Sequence, residues 1–349
     1  MRVVVVGATG NVGTSLLEAL AGEAAVQEIV AVARRPLPRA YPRTTFTQAD
    51  ITSSELAPIF RGADAVVHLA WLIQPGRDES VTYAVNVIGS ERVFAAAAEA
   101  RVPALVYASS VGAYSPGPKD RLVDESWPTD GIRSSFYSRH KAAVERRLDQ
   151  LERERPELRI VRLRPGLIFK REAATEVRRL FAGPLLPGPL LRPQLIPIVP
   201  DLPRLRFQAV HSLDVGDAYR RAVVSDARGP FNIAADPILD PDELASIFSA
   251  RKLRLPVPAV RAAAAATYAM RLQPTEPGWL DMGLGVPLMD SARARRELGW
   301  EPTRSSREAL VELVAGMREG ADLDTPPLAR GTTGPARVKE LITGVGARQ

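Results

Sequence analysis

Residues 3–13 read VVVVGATGNVG, and no other stretch constrains the fold as strongly. Four consecutive valines suit a strand buried on both faces, because no polar alternation leaves a solvent side. Gly7, Gly10 and Gly13 follow at once, and a helix over about Val12 to Leu20 begins inside the glycine run. The alternation then repeats. Glu28 to Ala33, Thr44 to Gln48, Ala65 to Leu69, Ala104 to Ala108 and Leu158 to Leu163 read as strands. Between them lie helical patterns at about Asp78 to Ala100, closed by Arg101 and Pro103, and at Ser134 to Arg153. Strands alternating with helices predict an α/β fold built on a doubly wound parallel sheet.

The pattern changes after Arg164. From Gly183 to Pro203 the chain is rich in proline and aliphatics, which forbids a regular helix or a central strand there. This segment is expected to cover the carboxyl edge of the sheet or to form a lid. Short strands are expected at Phe207 to Val210 and Pro230 to Ile233. Helices are expected at Asp214 to Val224, Pro241 to Ala250, Val260 to Arg271 and Ser305 to Arg318. The resulting division is a core over 1–165 that holds the catalytic residues, a mainly substrate-binding, mixed α/β region over 166–320 with elements returning to the core, and a tail over 321–349. The tail is polar, rich in Gly, Thr and Pro, with a short helical possibility near Val338 to Ile342, and is expected to be loosely attached.

Composition removes several function classes. There is no cysteine, so disulfides and thiolate chemistry are excluded. The three histidines, His68, His140 and His211, lack metal-ligand spacing, and no metal site is expected. The 46 basic residues face 40 acidic ones, a mixed surface and not a nucleic-acid footprint. No apolar run is long enough to span a membrane, and the apolar start ends in a glycine loop too soon for a signal peptide. The expectation is a cytoplasmic protein acting on a small molecule.

Glycines between a strand and a helix allow a tight turn and close approach of backbone to a pyrophosphate, and the helix N-terminus favours negative charge. Gly7, Gly10 and Gly13, with Thr9, Asn11 and Val12, therefore read as a dinucleotide loop. The second strand ends in Arg34 and Arg35, where a carboxylate would select NAD. Arginine can pair with a 2′-phosphate, so NADP is expected over NAD; the competing reading is two solvated loop arginines. Asp50, followed by Ile51, lies after the third strand. It can accept the adenine amino group or cap the next helix. Leu69, Ala70 and Trp71 follow the fourth strand, where a cofactor crosses. His68 reads as a hydrogen-bonded core residue.

YSRHK, Tyr137 to Lys141, places a phenol and an amine one helical turn apart. An ammonium beside a phenol favours the phenolate and lowers its pKa, which suits a proton donor and acceptor. ASSVGAY, Ala108 to Tyr114, sets serine at the carboxyl end of the fifth strand, where it can hydrogen-bond a substrate oxygen.

These segments together resemble the extended short-chain dehydrogenase/reductase family, in its NAD(P)-dependent epimerase/dehydratase branch. GATGNVG, VVHLA, NVIGS, LVYASSVGAY, YSRHK, RLRPGLIF and DSARARRELGWEP occur in the family's order over about residues 1 to 320. The resemblance implies a Rossmann-type sheet, an NAD or NADP cofactor, and catalysis by Ser110, Tyr137 and Lys141. Ser110 is selected over Ser109 because the motif serine lies four before Tyr114. Pro165, Gly166 and Leu167 are implied to flank the nicotinamide. Tyr137 and Lys141 are implied to touch cofactor as well as substrate. Asn86 matches the helix asparagine that supports a water relay to the lysine in related enzymes, with a purely structural role as the alternative. His140 is expected to be a solvated spacer. A homodimer through the two long helices is also implied.

Departures narrow the reaction. Val111 and Gly112 stand where nucleotide-sugar dehydratases carry an acidic pair, which disfavours a 4,6-dehydratase. RFQAVH places Arg206 one position early and Phe207 where nucleotide-sugar epimerases carry arginine. Three readings stay open: an oxidoreductase/epimerase acting at a hydroxyl or carbonyl carbon, possibly of a nucleotide sugar; a net NADP(H)-dependent ketone or aldehyde reductase (dehydrogenase) on an apolar small molecule; and a non-catalytic dinucleotide sensor.

Overall fold

The computed structural model describes residues 1–37, 39–73, 78–182, 197–325 and 328. Its centre is a parallel sheet. In chain order the elements that build it are β1 (Arg2–Val6), α1 (Asn11–Ala21), β2 (Glu28–Ala33), β3 (Thr44–Gln48), β4 (Ala65–His68), α2 (Gly89–Glu99), β5 (Ala104–Ala108), α3 (Phe136–Glu154), β6 (Arg159–Pro165), α4 (Ser212–Val224) and β7 (Gly229–Ile233). The seven strands lie in the order β3-β2-β1-β4-β5-β6-β7. Every neighbouring pair is parallel. The order reverses between β1 and β4, and such a switch point opens a crevice at the carboxyl ends of the strands.

Each face of the sheet has its own core, as strand periodicity dictates. Val3, Val5, Ile29, Ala31, Val67, Val106, Val161, Leu163 and Phe231 point to one side. They pack under Leu16, Leu17 and Leu20 of α1 and Val215, Ala218, Tyr219 and Ala222 of α4. Val4, Val6, Val30, Val66, Leu105 and Ile160 point to the other side, under Val93, Phe94 and Ala97 of α2 and Val144 and Leu148 of α3. A fully buried valine or leucine contributes roughly 1.5–3 kcal/mol, so the two faces hold the strand ends firmly in register.

Most boundaries match the sequence reading within two residues, and the differences have local causes. The helix expected from Asp78 starts after it, because the Asp78 side chain caps the backbone N–H of Ser80 at 2.9 Å. That helix, Glu79–Tyr83, passes through a π turn, Ala84–Ile88, before α2. Pro200 does lie in a strand, Ile198–Asp201, and among the described residues this strand pairs with Arg251–Arg254 in a separate two-stranded ribbon. Most of the proline-rich segment lies outside the described residues, as does Val338 to Ile342. Helices Ala174–Ala182, Pro277–Gly285 and Ala292–Leu298 were not expected. The boundary set at Gly320 comes early: Thr325 and Leu328 are fully buried, and the Thr175 hydroxyl donates to the Ala321 carbonyl at 2.8 Å.

The region after β6 is not a separate body. Lys170, buried, donates to the Asn11 carbonyl at 3.1 Å and to Thr14 Oγ1 at 2.7 Å, both in the first turns of α1. Ser15 and Ser212 share a hydrogen bond at 2.9 Å. Trp300, fully buried beneath α4, donates its indole N–H to the Asp214 carbonyl at 2.8 Å.

Candidate active site

The crevice at the switch point is a cavity of about 350 Å³. Its floor is the glycine turn. Gly7 sits at φ +90°, a conformation open to glycine and strained for other residues. A Cβ at Gly7 would lie 2.5 Å from the Ala70 nitrogen, and one at Gly13 would lie 2.4 Å from the Gly7 carbonyl oxygen. These two glycines are needed for internal packing. Gly10 is different: a Cβ there would meet only the Gly7 carbonyl, at 3.6 Å. Gly10 is the N-cap of α1 and has no side-chain cap. The helix start is therefore presented to the cavity, as a pyrophosphate requires. The turn fits a dinucleotide.

The cavity brings together nearly all of the expected cofactor residues. Gly7, Thr9, Gly10, Asn11, Val12, Gly13, Arg34, Asp50, Ile51, Leu69, Ala70, Trp71, Tyr137, Pro165, Gly166 and Leu167 line it. Arg35, Lys141 and Asn86 do not. Arg34 and Arg35 are exposed. Asp50 faces the cavity and also accepts from the Thr52 N–H at 2.9 Å and its hydroxyl at 2.7 Å, a turn and not a helix cap.

The proton-handling groups sit at the other end. Ser110, two residues past β5, is extended, and its hydroxyl accepts from the Gly112 N–H at 3.0 Å. Ser138 of α3 accepts from Ile132 N–H at 2.7 Å and donates to the Gly112 carbonyl, which clamps the start of α3 against this turn. Tyr137 and Ser110 line the cavity together; burial pushes the phenol up to about 12, and the nearby Ser110 hydroxyl opposes that rise. The lowering of Tyr137 expected from Lys141 is not found in this arrangement. The Lys141 ammonium is turned elsewhere: it donates to the Ala108 carbonyl at 2.6 Å and lies 3.4 Å from the centre of the Trp71 ring, against 5.8 Å from that of Tyr137. Burial drives the Lys141 pKa well down, opposed by the charge of Glu145.

Asn86 spends its amide on the backbone of Leu72, accepting from its N–H at 2.7 Å and donating to its carbonyl at 3.0 Å. Both bonds are of the kind a structural role requires. His68 is fully buried, bonded to Ser90 at 2.9 Å, and held neutral, its pKa driven down to about 3 by burial. His140 is not solvated: it is buried between Phe136 and Tyr83, 3.2 Å from Glu79, because it shares the inner face of α3 with Lys141. Position i+3 of Tyr137 was enough to place it inward.

Several lining residues carried no signal in the sequence. Trp279 lies 5.1 Å from the Tyr137 ring, and Met282 is beside it, both on the helix Pro277–Gly285. Leu72, Ile73, Glu176 and Val177 also line the cavity. Glu145 does carry one, since it continues the spacing of Tyr137 and Lys141. It is fully buried and pairs with Arg164 at 2.9 and 3.0 Å and with Arg162 at 2.9 Å. Those two arginines hold its carboxyl down at about 2 despite burial.

Known proteins fit this geometry. The family described as NAD dependent epimerase/dehydratase matches residues 3–234. The uncharacterized protein Rv0501 of Mycobacterium tuberculosis is 27% identical over 329 residues, which cover 90% of this chain and 83% of that one. A 3 beta-hydroxysteroid dehydrogenase/Delta 5-->4-isomerase of the same species is 28% identical over 337 residues, covering 90% and 89%. The structure of Thermus thermophilus UDP-glucose 4-epimerase in complex with NAD superposes with a TM-score of 0.65 at 21% identity, covering 91% of this chain and 99% of that one. With the sheet order, the glycine cradle and the family match in place, this chain belongs to the NAD dependent epimerase/dehydratase family and is an enzyme of the extended short-chain dehydrogenase/reductase type.

Proposed function

We propose that the enzyme oxidises or reduces a hydroxyl or carbonyl carbon held against Ser110, with Tyr137 as the proton donor and acceptor. The observation that carries this reading is that Ser110 and Tyr137 line the same cavity as the glycine cradle. A nicotinamide dinucleotide held by the glycine turn, Asp50, Leu69 to Trp71 and Pro165 to Leu167 supplies the hydride chemistry. Ser110 orients the substrate oxygen. Tyr137 takes the proton of an alcohol or gives one to a carbonyl oxygen. Lys141 lies one turn along α3, its ammonium held against the Ala108 carbonyl and the Trp71 ring.

An acidic residue at position 112, as dehydration of a nucleotide sugar would call for, conflicts with this arrangement, since a Cβ at Gly112 lies 2.8 Å from the Tyr137 ring. For the substrate, two readings have support. Family membership and the fold shared with a UDP-glucose 4-epimerase favour a nucleotide sugar and an internal oxidation and re-reduction. The walls around Tyr137 favour an apolar alcohol or ketone: Trp71, Leu72, Ile73, Val111, Trp279 and Met282 leave few polar groups to meet a sugar. The similarity to a hydroxysteroid dehydrogenase points the same way. We take the apolar substrate as the better supported. NADP over NAD is proposed from Arg34 at the adenosine end of the cavity.

The test begins with protein purified without added cofactor, then denatured, with any released nucleotide identified by mass spectrometry. Empty protein that binds NADPH more tightly than NADH supports a reductase that exchanges its cofactor each turnover. Stoichiometric NAD would overturn the NADP preference and favour epimerisation. Turnover of UDP- or dTDP-sugars in a substrate panel would overturn the apolar reading.

A further inference from the structure

Lys141 is fully buried, and a buried ammonium needs compensation for lost water. Three groups provide it. The Ala108 carbonyl accepts one N–H at 2.6 Å. Glu145, one turn further along α3, supplies a negative charge, itself shared with Arg162 and Arg164. The third is the face of Trp71, whose ring centre lies 3.4 Å from Nζ. That is nearer than the Tyr107 ring at 5.1 Å or the Tyr137 ring at 5.8 Å. Trp71 stands edge-on to Tyr137 at 5.8 Å, so one indole touches both halves of the pair.

The indole is held from behind. The Trp71 N–H has no partner among the described residues, so hydrogen bonding does not place the ring. Its backbone neighbour Leu72 is fixed at both N–H and carbonyl by Asn86, which rises from the π turn before α2. The chain of contacts runs from Asn86 through Leu72 and Trp71 to Lys141.

We propose that Trp71 is a positioning residue that acts through Lys141: its electron-rich face holds the buried ammonium in place and in its charged form. A cation desolvated against an indole face is held more strongly than one at an exposed site. Other groups facing the ammonium are Tyr107 at 3.5 Å, His68, which is neutral, and Tyr137. None of these is a carboxylate. Removing the indole leaves the charge on Lys141 to the Ala108 carbonyl and the Glu145 carboxylate. The proposal rests on the reading of Tyr137 and Lys141 as the proton-handling pair, but its test does not need turnover.

The chain has lysine at only five positions, 119, 141, 170, 252 and 339. Selective 15N-lysine labelling of the intact protein gives a spectrum in which the Lys141 Nζ signal is assigned by its loss in Lys141→Met. Its titration midpoint is then followed with pH. Trp71→Leu should lower the midpoint by about one unit, and Trp71→Phe should restore most of the loss. Should Trp71→Leu not fold, wild-type protein grown with fluorinated tryptophan keeps the shape and weakens the ring face; the midpoint should fall as fluorines are added. A midpoint unmoved by Trp71→Leu or by fluorination overturns the proposal, as does a Trp71→Phe shift equal to that of Trp71→Leu. A Tyr137→Phe variant that turns over normally would instead sink the pair itself and leave the Trp71 contact standing.

Discussion

The Ser109 hydroxyl donates to Oε1 of Glu145 across 2.5 Å, while the hydroxyl of the next residue, Ser110, accepts from the Gly112 N–H at 3.0 Å and lines the cavity with Tyr137. Adjacent side chains of an extended segment point opposite ways. One serine therefore anchors the end of β5 to the buried carboxylate of α3, and the other faces the substrate end of the cavity. The spacing to Tyr114 had selected Ser110 for the chemistry, and the geometry assigns Ser109 a different task.

Glu145 makes stability depend on acid. Its carboxyl titrates near 2 when folded, against an ordinary 4.5. A lowered folded pKa contributes stability that is complete above about 4.5 and is lost as pH falls toward 2. Glu145→Gln should be less stable than wild type at pH 7, because Arg162 and Arg164 lose their shared partner. It should also lose less on acidification. Urea unfolding of both proteins at pH 7 and pH 3 measures this. Equal pH dependence would mean that the carboxylate is not what the acid attacks.

Gly10 and Gly13 should fail differently. Gly13→Ala drives a Cβ into the Gly7 carbonyl at 2.4 Å and should cost about 1–3 kcal/mol of stability. Gly10→Ala has room within the protein and should fold normally, yet place a methyl where the pyrophosphate approaches. Melting temperature and NADPH affinity, measured side by side, separate the two. A Gly10→Ala protein with wild-type affinity would remove Gly10 from the cofactor cradle.

Tyr137→Phe keeps the ring contacts with Trp71 and Trp279 and removes only the hydroxyl. Turnover should fall by about two to four orders of magnitude with cofactor affinity nearly unchanged. Lys141→Met should weaken both. Steady-state kinetics on the best substrate from the panel, with calorimetric NADPH binding, decides between these patterns.

Asn86 offers a third contrast. Asn86→Ala strips partners from both the N–H and the carbonyl of Leu72 and should cost about 1–3 kcal/mol. Asn86→Asp keeps the acceptor alone and should fall between. If Asn86 instead carries protons, Asn86→Ala would leave the urea midpoint near wild type while lowering turnover.

The sheet was legible because it is buried on both faces: the Val3 to Val6 run and the glycine turn permit few other structures. The shared helix of Tyr137 and Lys141 was legible because i,i+4 spacing sets it without tertiary information. The walls of the cavity were not. Trp279 and Met282 reach Tyr137 from a helix far along the chain, and nothing local to that helix marks the face it turns inward. The direction of the Lys141 side chain was equally hidden, since i,i+4 spacing brings two residues to one face but does not say which neighbour an ammonium will choose. Here Trp71 and a carbonyl outcompeted the phenol.

The π turn at Ala84–Ile88 has a further consequence. An α-helix turns about 100° with each residue, so deleting one residue from this wider turn would let the helix run straight and would rotate everything after it. Asn86 grips Leu72 from within the turn, while Ser90, just beyond it, meets His68 beneath the sheet's carboxyl edge. A straight helix cannot serve both at once. The irregularity is thus a fixed phase offset between the part of the helix that sets the loop of Trp71 and the part that packs the core.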